Sequence, residues 1–80
     1  MQYFIKNFET VDDKKMVGFR VVDDQNQIMV IDKYVPLVEG KTDQEYIADA
    51  YALCTAEINE WQASKNIVGK VFNPTTGTLE

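Results

Sequence analysis

Alternating apolar positions in the first third of the chain predict β-strands. Three segments rich in aromatic and β-branched residues are separated by the short polar linkers ETVDDK and DDQN. In the second segment Val17, Phe19 and Val21 recur with the two-residue period of a strand. Linkers this short join antiparallel neighbours, and their Asp and Asn residues favour turns. The sequence therefore predicts a three-stranded meander, with strands at about 2–8, 15–23 and 27–35.

The third predicted strand carries apolar residues on both of its faces. Ile28, Val30 and Tyr34 fall on one face, and Met29, Ile31 and Val35 fall on the other. A strand with two apolar faces is typical of a position covered on both sides. We therefore expect this strand to be central in the sheet or covered twice. Strand orders 4-1-2-3 and 1-2-3 are both compatible with the pattern.

A long amphipathic helix is predicted after the third strand. Pro36 and Gly40 interrupt the strand pattern, and TDQE at 42–45 has the form of a capping box, in which Thr42 and Glu45 satisfy each other's backbone amides. The predicted helix covers about 43–65. Its apolar residues recur at spacings of three and four, which predicts one stripe against the sheet. That stripe consists of Ile47, Ala50, Tyr51, Cys54, Ile58 and Trp61.

The last fourteen residues predict more β-structure. IVGKVF predicts a fourth strand at about 67–72, NPTTG predicts a turn, and a short fifth strand is expected at 77–80. The predicted fold class is α+β, a single domain over 1–80 in the order β-β-β-α-β. One long helix packs on one face of an antiparallel sheet of three to five strands.

Composition and charge exclude several kinds of partner. The 80 residues carry 13 acids and 8 bases, for a net charge of −5, so phosphate backbones would repel the chain and direct nucleic-acid binding is not expected. No apolar run is long enough for a membrane span, and the first residues lack a signal-peptide pattern. A single cysteine forms no internal disulfide, which suits a reducing compartment. We expect a cytoplasmic protein.

The chain offers little for catalysis. It has no histidine, which removes the usual general base and the commonest transition-metal ligand. Cys54 lies in the middle of the predicted helix without a neighbouring base, so we expect it to fill the core. The carboxylate pairs Asp12/Asp13 and Asp23/Asp24 fall in predicted turns, where solvation keeps them ordinary. We predict no enzyme activity and no catalytic, cofactor-binding or metal-binding residue.

Small residues on the outer side of the helix suggest a contact surface. Ala48, Ala52 and Ala56 recur every four residues, and small side chains in a row allow another helix to approach closely. Tyr46 and Leu53 add apolar area on a flank of the same helix. These five residues form the predicted interface. The alternative is that alanine stands there because it is the best helix former.

The C-terminal segment VGKVFNPTTGTLE, with the meander and the alanine-rich helix, resembles small bacteriophage and prophage proteins. That resemblance implies a structural or assembly role and, for a phage protein, a virion-associated location. We therefore predict a non-enzymatic protein–protein interaction or assembly module, with a protein partner that is most simply a second copy in a dimer. The alternative is an acidic inhibitor, such as a nucleic-acid mimic, that binds a basic protein surface.

Overall fold

The computed structural model describes residues 1–80 and shows an antiparallel sheet, one long helix and a small terminal hairpin. The elements are β1 (Gln2–Val11), β2 (Lys14–Val22), β3 (Ile28–Pro36), α1 (Asp43–Ser64), β4 (Phe72–Asn73) and β5 (Thr78–Leu79). The strands β1, β2 and β3 form one antiparallel sheet in that order, and β4 pairs only with β5. The α+β class and the order β-β-β-α-β are confirmed.

Turn chemistry sets the register of the meander. Asp12 and Asn26 adopt positive φ angles of 56° and 60° in the two connections, a conformation that Asp and Asn tolerate better than other side chains with a Cβ. The register from β2 to β3 is regular, whereas β1 contains an irregularity between Ile5 and Asn7. The predicted three-stranded meander is therefore confirmed; β1 is three residues longer than expected, and β2 and β3 are each displaced by one residue.

The core lies between one face of the sheet and the helix. Val17, Phe19 and Val21 of the central strand are almost fully buried, as are Cys54 and Ala50 of α1. The helix packs over β2 and β3 rather than over β1. On the β1 side the rings of Tyr3 and Tyr51 make an edge-to-face contact, with centroids 5.1 Å apart, and Phe8 packs against the core. The predicted helical stripe is confirmed in part. Ala50, Cys54 and Ile58 lie in the core and Ile47 and Trp61 pack against it, whereas Tyr51 is 37% exposed.

Two sequence predictions about strands are wrong. The third strand lies at an edge of the sheet with β2 in the centre, which contradicts the predicted central position, and no other element of the chain covers the outer-facing residues of β3. The predicted strand at 67–72 is mostly absent, because residues 67–69 form turns and β4 covers only Phe72–Asn73. The chain reverses at Gly69, whose φ of 94° favours glycine.

Residues 67–80, here called the C-terminal arm, project away from the rest of the molecule. Its two short strands contact each other and no other element. The molecule measures 57 × 24 × 16 Å, and its radius of gyration is 17.0 Å. A compact chain of this length has a radius of gyration of about 12 Å. The arm therefore makes the protein much longer than its core requires.

Candidate interaction surface

The outer side of α1 carries four of the five predicted interface residues. Ala48, Ala52, Leu53 and Ala56 are all exposed, and Leu53 leaves about half of its surface (52%) open to solvent. These four residues are called the helix ridge below. The structure places them together, as the helical spacing required. Their contact with another chain remains a prediction.

Tyr46, the fifth predicted interface residue, lies in the core and not on the outer flank. Its hydroxyl donates to the Val38 carbonyl at 2.8 Å and accepts from the Val38 amide at 2.9 Å. The ring thus anchors the loop that precedes the helix. The structure confirms the capping box between Thr42 and Glu45, and this box already indicated that Tyr46 faces the segment before the helix. It places Tyr46 one residue beyond the box, where side chains commonly pack against the segment before the helix.

Two lysines that flank the helix form ion pairs with acids on the helix. Lys41 pairs with Asp49, and Lys33 of β3 pairs with Glu57. The hydrogen bond to Asp49 raises the pKa of Lys41, and the hydrogen bond to Glu57 raises the pKa of Lys33. Both lysines are already charged at neutral pH, so the raised pKa values do not change their charge. The two pairs offset two of the negative charges on the helix.

The face of the sheet opposite the helix has an uncovered apolar end. Phe4, Arg20 and Val30 pair across the three strands, and Val22 pairs with Ile28 in the next outward-facing row. Ile28 and Val30 are 56% and 53% exposed, and Phe4 is 42% exposed beneath the Arg20 guanidinium, 4.7 Å from its ring centroid. The name outer patch is used for the four apolar residues of these rows. They are Phe4, Val22, Ile28 and Val30.

The C-terminal arm is a second uncovered apolar surface. Its hairpin turn is well formed: the Asn73 side chain accepts from the Thr75 amide at 2.9 Å, and the Asn73 carbonyl accepts from the Gly77 amide at 2.8 Å. The arm has no core of its own, and Val68 is 78% and Phe72 58% exposed. An isolated two-stranded hairpin is marginally stable in water. Its large apolar residues are Ile67, Val68, Val71, Phe72 and Leu79.

A buried carboxylate fixes the base of the arm. Asp23, predicted to be a solvated turn residue, is buried and accepts from the amides of Gln25 and Gln27 at 2.8 and 2.9 Å. It also pairs with Lys65 just beyond the helix and accepts from the Gln62 side-chain amide at 3.3 Å. The predicted position of Asp23 at a turn is therefore right, and the predicted solvation of its carboxylate is wrong. The junction holds the end of α1 beside the β2–β3 turn, at the same end of the sheet as the outer patch.

Cys54 packs in the core, as predicted. Its thiol is buried under the helix and donates to the Ala50 carbonyl at 3.3 Å. Burial raises the pKa of the Cys54 thiol, opposed in part by the nearby Lys33 charge. A raised pKa lowers the thiolate fraction near neutral pH, and the thiolate is the nucleophile. This geometry is that of a structural cysteine.

Cys54 is therefore expected to resist thiol reagents in the folded protein. At pH 8, reaction with a disulfide reagent should be slower than that of an unfolded control by at least about a hundredfold, because access requires opening of the core. The matched control moves the thiol to an exposed position of the same helix, in the double variant Cys54→Ala/Ala52→Cys, which should react rapidly. Fast labelling of native Cys54 would contradict its burial.

The rest of the molecule contains no group of three or more potential metal-ligating side chains and no helix long and apolar enough to span a membrane. No protein-family model matches the chain, and comparison with curated proteins and with solved structures gives no significant match.

Proposed function

We propose that the protein is a non-enzymatic interaction module that works by protein–protein contact and assembles with itself. The observation that carries this proposal is the size of its surface. The chain of 9.2 kDa exposes 5737 Å². A compact monomer of this mass exposes about 4,900 Å², so about 800 Å² of additional surface remains open. Of the 17 large apolar residues that the chain exposes, eight lie on the outer patch or the C-terminal arm.

Exposed apolar surface of this extent supports a binding role. Single exposed apolar residues are ordinary, whereas contiguous apolar groups mark interaction sites. Here one group lies on a rigid sheet and the other on a hairpin without a core. Neither surface contains a charged cluster or a nucleophile in a cleft that would favour catalysis.

Self-assembly is expected to appear directly in the native mass. Light scattering after size exclusion, over a hundredfold range of protein concentration, should give a dimer that dissociates only at the lowest concentrations. The physical reason is that exposed apolar surface leaves water on association. A constant monomer mass over the whole range would contradict self-assembly.

The more specific role remains part of the proposal. The resemblance of the C-terminal segment to phage proteins supports a structural or assembly component as the form of this module. For the acidic-inhibitor alternative, five of the 13 acids already pair with cations within the chain, which leaves fewer carboxylates to mimic phosphates. They are Asp23, Asp24, Asp32, Asp49 and Glu57.

A further inference from the structure

We propose that the protein forms a two-fold dimer by exchange of its C-terminal arms, each arm packing on the outer patch of the second copy. This inference rests on the proposed self-assembly and names the surfaces that carry it. The occupant of the outer patch is thus a segment of the same chain in a second molecule. Four observations lead to this assignment.

The first observation is the place where the arm begins. The junction between Asp23 and Lys65 ties the end of α1 to the β2–β3 turn, and the arm begins two residues later. Ile28, the first residue of β3, lies at the same end of the sheet. The base of the arm and the outer patch therefore lie at the same end of the molecule, and two copies that meet at this end bring the arm of each close to the outer patch of the other.

The second observation is that the arm does not cover its own patch. The arm leaves from the helix layer, whereas the outer patch lies on the opposite face of the sheet. Neither β4 nor β5 contacts β1, β2 or β3. A symmetric contact with a second copy buries the arm and the outer patch of each chain, because a two-fold axis makes the same arm–patch contact occur twice.

The third observation is the charge of the arm. Lys70 and Glu80 are its only charged side chains, so the net charge of −5 belongs to residues 1–66. Two such bodies repel one another over a broad contact. An apolar arm without net side-chain charge allows them to associate while the acidic surfaces stay apart.

The fourth observation is the area. The additional surface of about 800 Å² per chain, relative to a compact monomer, equals one partner's share of a standard interface. Phe72 of the arm and Phe4 of the patch supply large aromatic groups, which commonly dominate the energy of such contacts. The shape of a single chain is thus explained as half of a dimer.

The experiment compares one variant in each surface with a control on the helix ridge. Phe72→Glu alters the arm, Val30→Glu alters the patch, and Ala52→Glu alters the ridge; all three positions are exposed, so the fold should be kept, as circular dichroism will show. Light scattering should give a dimer for the wild type and for Ala52→Glu. For the other two variants the dissociation constant should rise by about a hundredfold or more, because each dimer contains the altered contact twice.

A mixing experiment tests the exchange itself. When the arm variant Phe72→Glu and the patch variant Val30→Glu are combined, the intact arm of one copy can pack on the intact patch of the other. Dimer mass should therefore return in part in the mixture, although each variant alone is monomeric. A mixture that stays monomeric overturns the exchange.

The remaining outcomes separate this inference from the proposed function. A wild-type dimer unaffected by Phe72→Glu and Val30→Glu overturns the arm exchange and leaves self-assembly standing. A dimer that dissociates only with Ala52→Glu also overturns the arm exchange and leaves self-assembly standing, and it places the contact on the helix ridge. A wild type that is monomeric at every concentration overturns both.

Discussion

Asp23→Ala is expected to lower the free energy of unfolding by about 3 kcal/mol, because it removes one member of a buried ion pair and leaves the other without a partner. The side chain of Asp23 is 2% exposed and that of Lys65 is 18% exposed, so water compensates little for the lost pair. The amides of Gln25 and Gln27 lose their acceptor as well. Urea unfolding followed by circular dichroism measures the change.

The adjacent Asp24 provides the matched control for this prediction. Its carboxylate is 94% exposed and accepts only from the N-terminal amine. Asp24→Ala should change the free energy of unfolding by less than about 0.5 kcal/mol, as exposed pairs generally do. Asp23→Asn should fall between the two alanine variants, since its amide oxygen can still accept from the backbone. Equal effects of Asp23→Ala and Asp24→Ala would refute the structural role of the junction.

Loss of Asp23 should also weaken the dimer if the arms are exchanged. The Asp23–Lys65 pair holds the residue at the end of α1, from which the arm continues, and an arm with a loosened base must be ordered on binding. That ordering costs conformational entropy. Asp23 therefore connects the stability of one chain with the association of two.

The elements that sequence predicted well are those specified by neighbouring residues. Turn residues between short alternating segments determined the meander, and the capping box determined the start of α1. The alternation of Val17, Phe19 and Val21 also predicted β2 as a strand, and all three side chains lie in the core. For such elements the local pattern and the packing agree.

The missed features depend on partners distant in sequence. Asp23 pairs with Lys65, 42 positions away, and no local pattern distinguishes it from its exposed neighbour Asp24. The two apolar faces of β3 predicted a central or doubly covered strand, whereas β3 lies at an edge of the sheet and its outer face is open in the single chain. Residues 67–72 have a strand-like pattern, yet a strand forms only where another strand pairs with it, and most of this segment has no such partner.

Phe19→Ala is expected to have the second of the two largest effects, a loss of about 3–5 kcal/mol in the free energy of unfolding. Phe19 is 2% exposed in the centre of the sheet and packs against the ring of Tyr51, with centroids 6.4 Å apart. A chain of this length has a total stability of about 4–12 kcal/mol. A urea titration should therefore show a midpoint far below that of the wild type, and with a wild-type stability at the lower end of this range the variant would be close to its midpoint without denaturant.

Phe4→Ala is the matched variant on the other face of the same sheet. Phe4 lies on β1 opposite Arg20, one residue along β2 from Phe19, but it points away from the helix and is 42% exposed. The monomer should lose about 1 kcal/mol or less on its truncation, because little buried contact is removed. Its dimer should nevertheless dissociate more readily than the wild type, since Phe4 belongs to the outer patch. If Phe4→Ala instead destabilises the monomer as strongly as Phe19→Ala, the outer face is already covered within the chain, and no second copy is required to explain its apolar residues.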